Sequence, residues 1–84
     1  MLFLAITPDG LAKALAKASK DDAVWCGADA IDDEACRSAR IAGLSRLDYS
    51  LMGEDASGVI EGALWTIAEH HPNQTIWVEA TPSP

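Results

Sequence analysis

Positive charge is scarce in this chain. Six Lys and Arg residues stand against thirteen Asp and Glu, a formal net charge of −7. No Lys/Arg cluster interleaved with aromatics occurs. Phosphate backbones and anionic membrane surfaces repel such a chain, so nucleic acid is excluded as an expected partner. Long apolar runs are missing as well, and no stretch has the ~20 residues that a membrane-spanning helix needs. Met1 to Ile6 is apolar but too short for the core of a signal peptide; it lacks a basic segment, and Asp9 closes it. Cys26 and Cys36 are the only cysteines. With no secretion signal, they read as reduced thiols in a cytoplasmic protein. No internal repeat or linker is present.

What remains is the composition of an ordinary globular domain. Hydrophobic residues make up 49% and charged residues 23% of 84 positions, enough for one core but little surplus stability. The order of elements reads strand, helix, strand, helix, strand, helix, strand. Residues 2–6, LFLAI, form a continuous apolar run and predict an internal strand covered on both faces. Thr7 and Pro8 supply a helix cap and a first-turn proline. The helix then runs to about Ser19, with Leu11, Ala14, Leu15 and Ala18 facing inward. AVWC at 23–26 predicts a second buried strand. A short helix follows over 33–42, capped by Asp32 and stopped by Gly43, with Ala35, Cys36, Ala39 and Ala42 against the sheet. SRLDYSL at 45–51 alternates cleanly and predicts a half-exposed edge strand. The third helix occupies 56–71, and TIWVE at 75–79 is the last strand. Residues 1–79 are therefore expected to form one α/β domain with a mainly parallel four-stranded sheet and three helices, and 80–84 a flexible tail. The alternative is an α+β arrangement with one antiparallel edge strand.

Ligands of parallel sheets bind beyond the carboxyl ends of the strands. That rim collects Asp9, Asp29, Asp32, Asp33, Glu34, Glu54 and Asp55, while Lys20, His70 and His71 sit at the opposite one. Clustered carboxylates are the chemistry of a Mg²⁺ or amine site, but helix N-termini attract acids for electrostatic reasons alone. The glycine spacing of a phosphate loop or dinucleotide fingerprint is lacking. His70 and His71 are adjacent, so they diverge on a helix and cannot chelate one ion from that turn. Thr7, Ser50 and Ser57 are the hydroxyls near strand ends, and Ser57 reads as a cap rather than a nucleophile. No metal or cofactor is expected from these motifs.

Trp25-Cys26-Gly27 resembles the first three residues of the thioredoxin active-site motif, Trp-Cys-Gly-Pro-Cys. The likeness covers three positions of 84. Ala28 stands where the motif has proline, and Asp29 where it has the second cysteine. The proline that precedes a later thioredoxin strand is also missing. The resemblance implies a thiol-dependent enzyme or sulfur carrier using Cys26, although Asp29 and Asp32 would raise its pKa. The plainer reading makes Cys26 a small core hydrophobe.

The strongest functional signal is a tryptophan on the wrong side of a helix. At about 100° per residue, Ala56, Ile60, Ala63 and Ile67 share one face, flanked by Val59 and Leu64. Trp65 points away from them, among Gly58, Glu61, Gly62 and Glu69. Either the indole folds down over the two glycines, or it meets another chain. The expectation is a binding or assembly module that uses Trp65, Gly58, Gly62, Glu61 and Glu69 to contact a protein partner or a second copy. The alternatives are the Cys26 thiol and a small-ligand or cation site at Asp9, Asp29, Asp32, Asp33, Glu54 and Asp55.

Overall fold

The computed structural model describes residues 1–53 and 56–79. The expected tail at 80–84 and the rim acids Glu54 and Asp55 lie outside them. The elements are β1 (Leu2–Ala5), α1 (Pro8–Lys17), β2 (Ala23–Cys26), α2 (Asp33–Ala39), β3 (Leu44–Arg46), α3 (Ala56–His70) and β4 (Ile76–Val78). The strands form one sheet in the order β3-β2-β1-β4. Every pairing is parallel, so this is a small α/β domain and the antiparallel-edge alternative does not hold. Among the described residues no helix is long and apolar enough to cross a membrane.

β1 is central because it has no polar side chain to keep in water. Leu2, Leu4 and Ile6 point to one face and Phe3 and Ala5 to the other, and all are buried. On the first face they meet Ala63 and Ile67 of α3, with Val59, Ile60, Leu64 and Trp25 packed around them. On the second they meet Leu11 and Ala14 of α1, with Val24 and Cys26. Burying each large aliphatic side chain contributes roughly 1.5–3 kcal/mol. α1 starts as its sequence predicts: Thr7 is the cap, its hydroxyl accepts from Gly10 N at 3.0 Å, and Pro8 opens the first turn.

Two elements differ from expectation. α2 ends at Ala39 rather than 42, and none of its residues is buried. Arg40 takes the left-handed conformation that ends it, with φ 49°, while Gly43 makes a separate turn into β3 at φ 78°. The small residues of α2 therefore face largely outward instead of lying against the sheet. β3 also stops at Arg46, short of the alternation that runs to Leu51. Leu47 N still donates to Cys26 O and Ala28 N to Tyr49 O, so pairing fades along the loop. Leu47 and Leu51 turn into the core, but Tyr49 stays 38% exposed. Leu51 crosses over Gly27, where a Cβ would meet its Cγ at 2.8 Å. The two leucines are buried four residues apart with Tyr49 left out, so the period-two alternation of the sequence is not matched by the burial.

Leu4 has no solvent-exposed surface. Leu4→Ala is expected to cost about 2–5 kcal/mol in urea unfolding, and Leu4→Asp should abolish folding by burying an unpaired charge. In deuterium exchange the β1 amides should be among the slowest. A folded Leu4→Asp variant would contradict this account of the core.

Candidate functional site

The chain leaves β1 toward β2 and β3 on one side, then returns through α3 to place β4 on the other. The direction of winding thus reverses between β1 and β4. In open parallel sheets such a reversal point carries the ligand, beside a helix N-terminus. Here the chain's own carboxylate takes the backbone donors, and a pocket of about 550 Å³ remains beside it, lined by Thr7, Asp9, Gly10, Lys13, Trp77 and Glu79. Glu79 follows β4 and its Oε1 accepts from the Ile6 and Thr7 amides at 2.6 and 2.8 Å. Its Oε2 accepts from Thr7 Oγ1 at 2.6 Å. The fit explains Gly10, because a Cβ there would lie 1.8 Å from Glu79 Oε1. Burial opposes ionisation of Glu79, but the hydrogen bonds from Thr7 and Ile6 outweigh it and hold the carboxyl below its ordinary value of 4.5. The sequence pattern did not reveal Glu79 as a site residue. Its only local trace is a glycine three positions after the cap, and its partner lies 72 residues away.

Four of the five described rim acids, all but Glu34, are engaged one by one. Asp9 pairs with Lys13 and Asp33 with Arg37, each at 3.0 Å. Asp32 caps α2 through Ala35 N at 2.7 Å. Asp29 accepts from Ser50 Oγ. Arg46 reaches under this loop, donating from Nε to Ile31 O at 2.7 Å and from Nη2 to Ala28 O at 3.2 Å. A guanidinium held against the 28–31 loop opposes a cation bound there. Among the described residues no three His, Cys, Asp or Glu side chains converge as metal ligands.

Cys26 ends β2 and is buried; Cys36 is half-buried, and both are free thiols. Burial, with a smaller contribution from Cys36, pushes the Cys26 thiol up to about 11. An activated nucleophile needs a shift in the other direction. His70 and His71 pack instead on Trp25, with ring centroids 5.7 and 6.1 Å from the indole. Sequence reading placed them at a helix end but did not foresee this contact, because it joins α3 to β2.

Trp65 lies open, 70% exposed. The indole does not cover the glycines: a Cβ added at Gly58 or Gly62 would meet nothing within 4 Å. Trp65 instead walls a groove of about 530 Å³ between α3 and β4, with Glu61, Leu64, Ala68, Ile76 and Val78. The groove runs along a sheet edge, since among the described residues β4 pairs with β1 alone. On the opposite face of that edge Trp77 stacks edge-on against Phe3 at 5.8 Å yet remains 41% exposed. No protein-family model matches this chain, and no curated protein or solved structure matches it.

Two outcomes follow from this geometry. The folded-state pKa of Glu79 is depressed, so its contribution to stability is complete above the unfolded value of 4.5 and is lost as pH falls through the lower folded value. Glu79→Gln should lose about 1–2 kcal/mol at pH 7, and its deficit against the parent should shrink below pH 4; an unchanged deficit across pH 2–7 would contradict the assignment. Native Cys26 should alkylate at neutral pH far more slowly than a free model thiol, and faster reaction would restore the thiol reading.

Proposed function

We propose that this chain is a small binding or assembly module that engages a protein partner through α3 and the groove beside β4. The observation that carries the reading is Trp65: a large aromatic, 70% exposed, on a helix whose other large apolar residues, Val59, Ile60, Leu64 and Ile67, pack against the core. Burying an exposed indole in a desolvated pocket is among the largest single contributions a side chain makes to association. The groove adds Leu64, Ile76 and Val78, so the apolar surface continues beyond one residue. Gly58 and Gly62 leave the neighbouring helix surface low enough for a partner to approach closely. Glu61 and Glu69 flank the indole and select against an acidic partner.

The test separates surface from core. Trp65→Ala should change stability by no more than about 1 kcal/mol. A photo-reactive p-benzoylphenylalanine at Ala68, beside the indole, should cross-link in the native cell to a discrete partner, and Trp65→Ala should abolish the product. The same group at Ala12, on the exposed side of α1, should give none. A loss of several kcal/mol in Trp65→Ala, or equal cross-linking from both positions, would overturn the reading.

A further inference from the structure

The outer edge of β4, unpaired among the described residues, gives this surface a backbone component. Thr75 O accepts from Leu2 N at 3.1 Å, and Glu79 N donates to Leu4 O at 2.9 Å. Odd-numbered residues of this segment therefore turn their amide and carbonyl groups toward β1. By alternation, Ile76 and Val78 turn theirs outward, away from the sheet. The side chains of the same two residues line the groove under Trp65. Sheet edges that must stay unpaired are commonly guarded by Lys, Pro or a bulge. The segment Thr75-Ile76-Trp77-Val78 has neither Lys nor Pro, and its parallel register with β1 runs without interruption. An apolar groove and an open hydrogen-bonding edge thus coincide at two residues.

We infer that the partner is bound as an extended segment that adds a fifth strand to β4, seating aliphatic side chains in the groove and a Lys or Arg beside Glu61. The inference rests on the proposed binding role of α3 and specifies its occupant. Strand addition draws affinity from main-chain hydrogen bonds and specificity from alternate side chains. Every second residue of the added strand faces the groove, where Leu64 and Trp65 of α3 and Ile76 and Val78 of β4 present an apolar wall. The intervening residues lie on the side of Trp77.

Charge selects the occupant. Among the described residues the ion pairs are Met1 N-terminus–Asp22, Lys13–Asp9 and Arg37–Asp33, and Glu61 and Glu69 belong to none of them. α3 runs antiparallel to β4, so Glu61, early in α3, lies toward the Val78 end of the groove. A cation on the added strand fits there. A second copy would bring a further Glu61 and another net charge of −7 to the same edge.

The probe is the blocked hexapeptide Lys-Thr-Val-Thr-Val-Thr, whose Lys and two Val share one face when extended. Two controls replace its Lys by Glu, or its first Val by Pro. Titration of the ¹⁵N-labelled full chain, with Trp emission read in parallel, is expected to shift the Ile76 and Val78 amides together with the Trp65 indole. The Glu peptide should bind roughly five- to tenfold more weakly at low salt, with the gap closing as salt rises, and the Pro peptide should not shift the two amides. Shifts at the Trp65 indole without shifts at Ile76 and Val78 would overturn strand addition while leaving the α3 surface in place. Shifts of those amides with protein concentration alone would assign the edge to a second copy. No shift with any peptide would overturn this inference, and the Ala68 cross-link decides the broader reading separately.

Discussion

The fold depends on a strand that cannot touch water. Residues 2–6 have side chains on both faces of the sheet and not one polar group among them. Their backbone amides and carbonyls must still be paired, which requires a strand on each side. Their side chains must be covered, which requires helices above and below. β2 and β4 meet the first requirement and α1 and α3 the second. Right-handed crossovers then dictate that α3, which carries the chain back past β1, lies on the face opposite α1.

The two helices that satisfy β1 do so unequally. α1 sinks Leu11 and Ala14 into the sheet and is tied at its start to the last strand by Glu79. The carboxylate takes the position an anionic ligand would take at a helix N-terminus, with three donors from Ile6 and Thr7. A site that nature often leaves open for a ligand is here a clasp holding β4 to the β1–α1 junction. The backbone donors at the winding reversal are therefore spent on the fold, while the outer side of β4 and α3 keeps an exposed indole beside an apolar groove.

That surface collects what the core could not absorb. β1, β2 and β4, with Leu47 and Leu51 of the loop, bury one face of α3, and the helix has more apolar side chains than one face holds. Leu64 is half-covered and Trp65 is left outside. β4 contributes an edge unpaired among the described residues, with Ile76 and Val78 lining the groove. The excess of acidic residues then biases who can approach, because long-range repulsion disfavours anionic partners before contact is made.

Much of this organisation is legible in local sequence. Continuous apolarity marked β1 as central, Thr7-Pro8 marked the start of α1, and a period near 3.6 in residues 56–67 fixed which side of α3 faces the sheet and hence that Trp65 faces away. These are properties of neighbouring residues, so a single segment carries them. Alternation over 45–51 misled because Leu47 and Leu51 are buried by a loop folding over Gly27, and two buried leucines look alike in a strand or a loop. The small residues of α2 misled because close packing needs a helix long enough to lie on the sheet, and α2 ends at Ala39. Strand order, the Glu79 clasp, the Trp25–His70 contact and the coincidence of groove and free edge were decided only in three dimensions. The clasp and the Trp25–His70 contact join residues far apart in the chain, and the groove becomes a sheet edge only through the side of β1 that the fourth strand takes. No local pattern encodes that choice; it follows from the chain burying both faces of β1 at once.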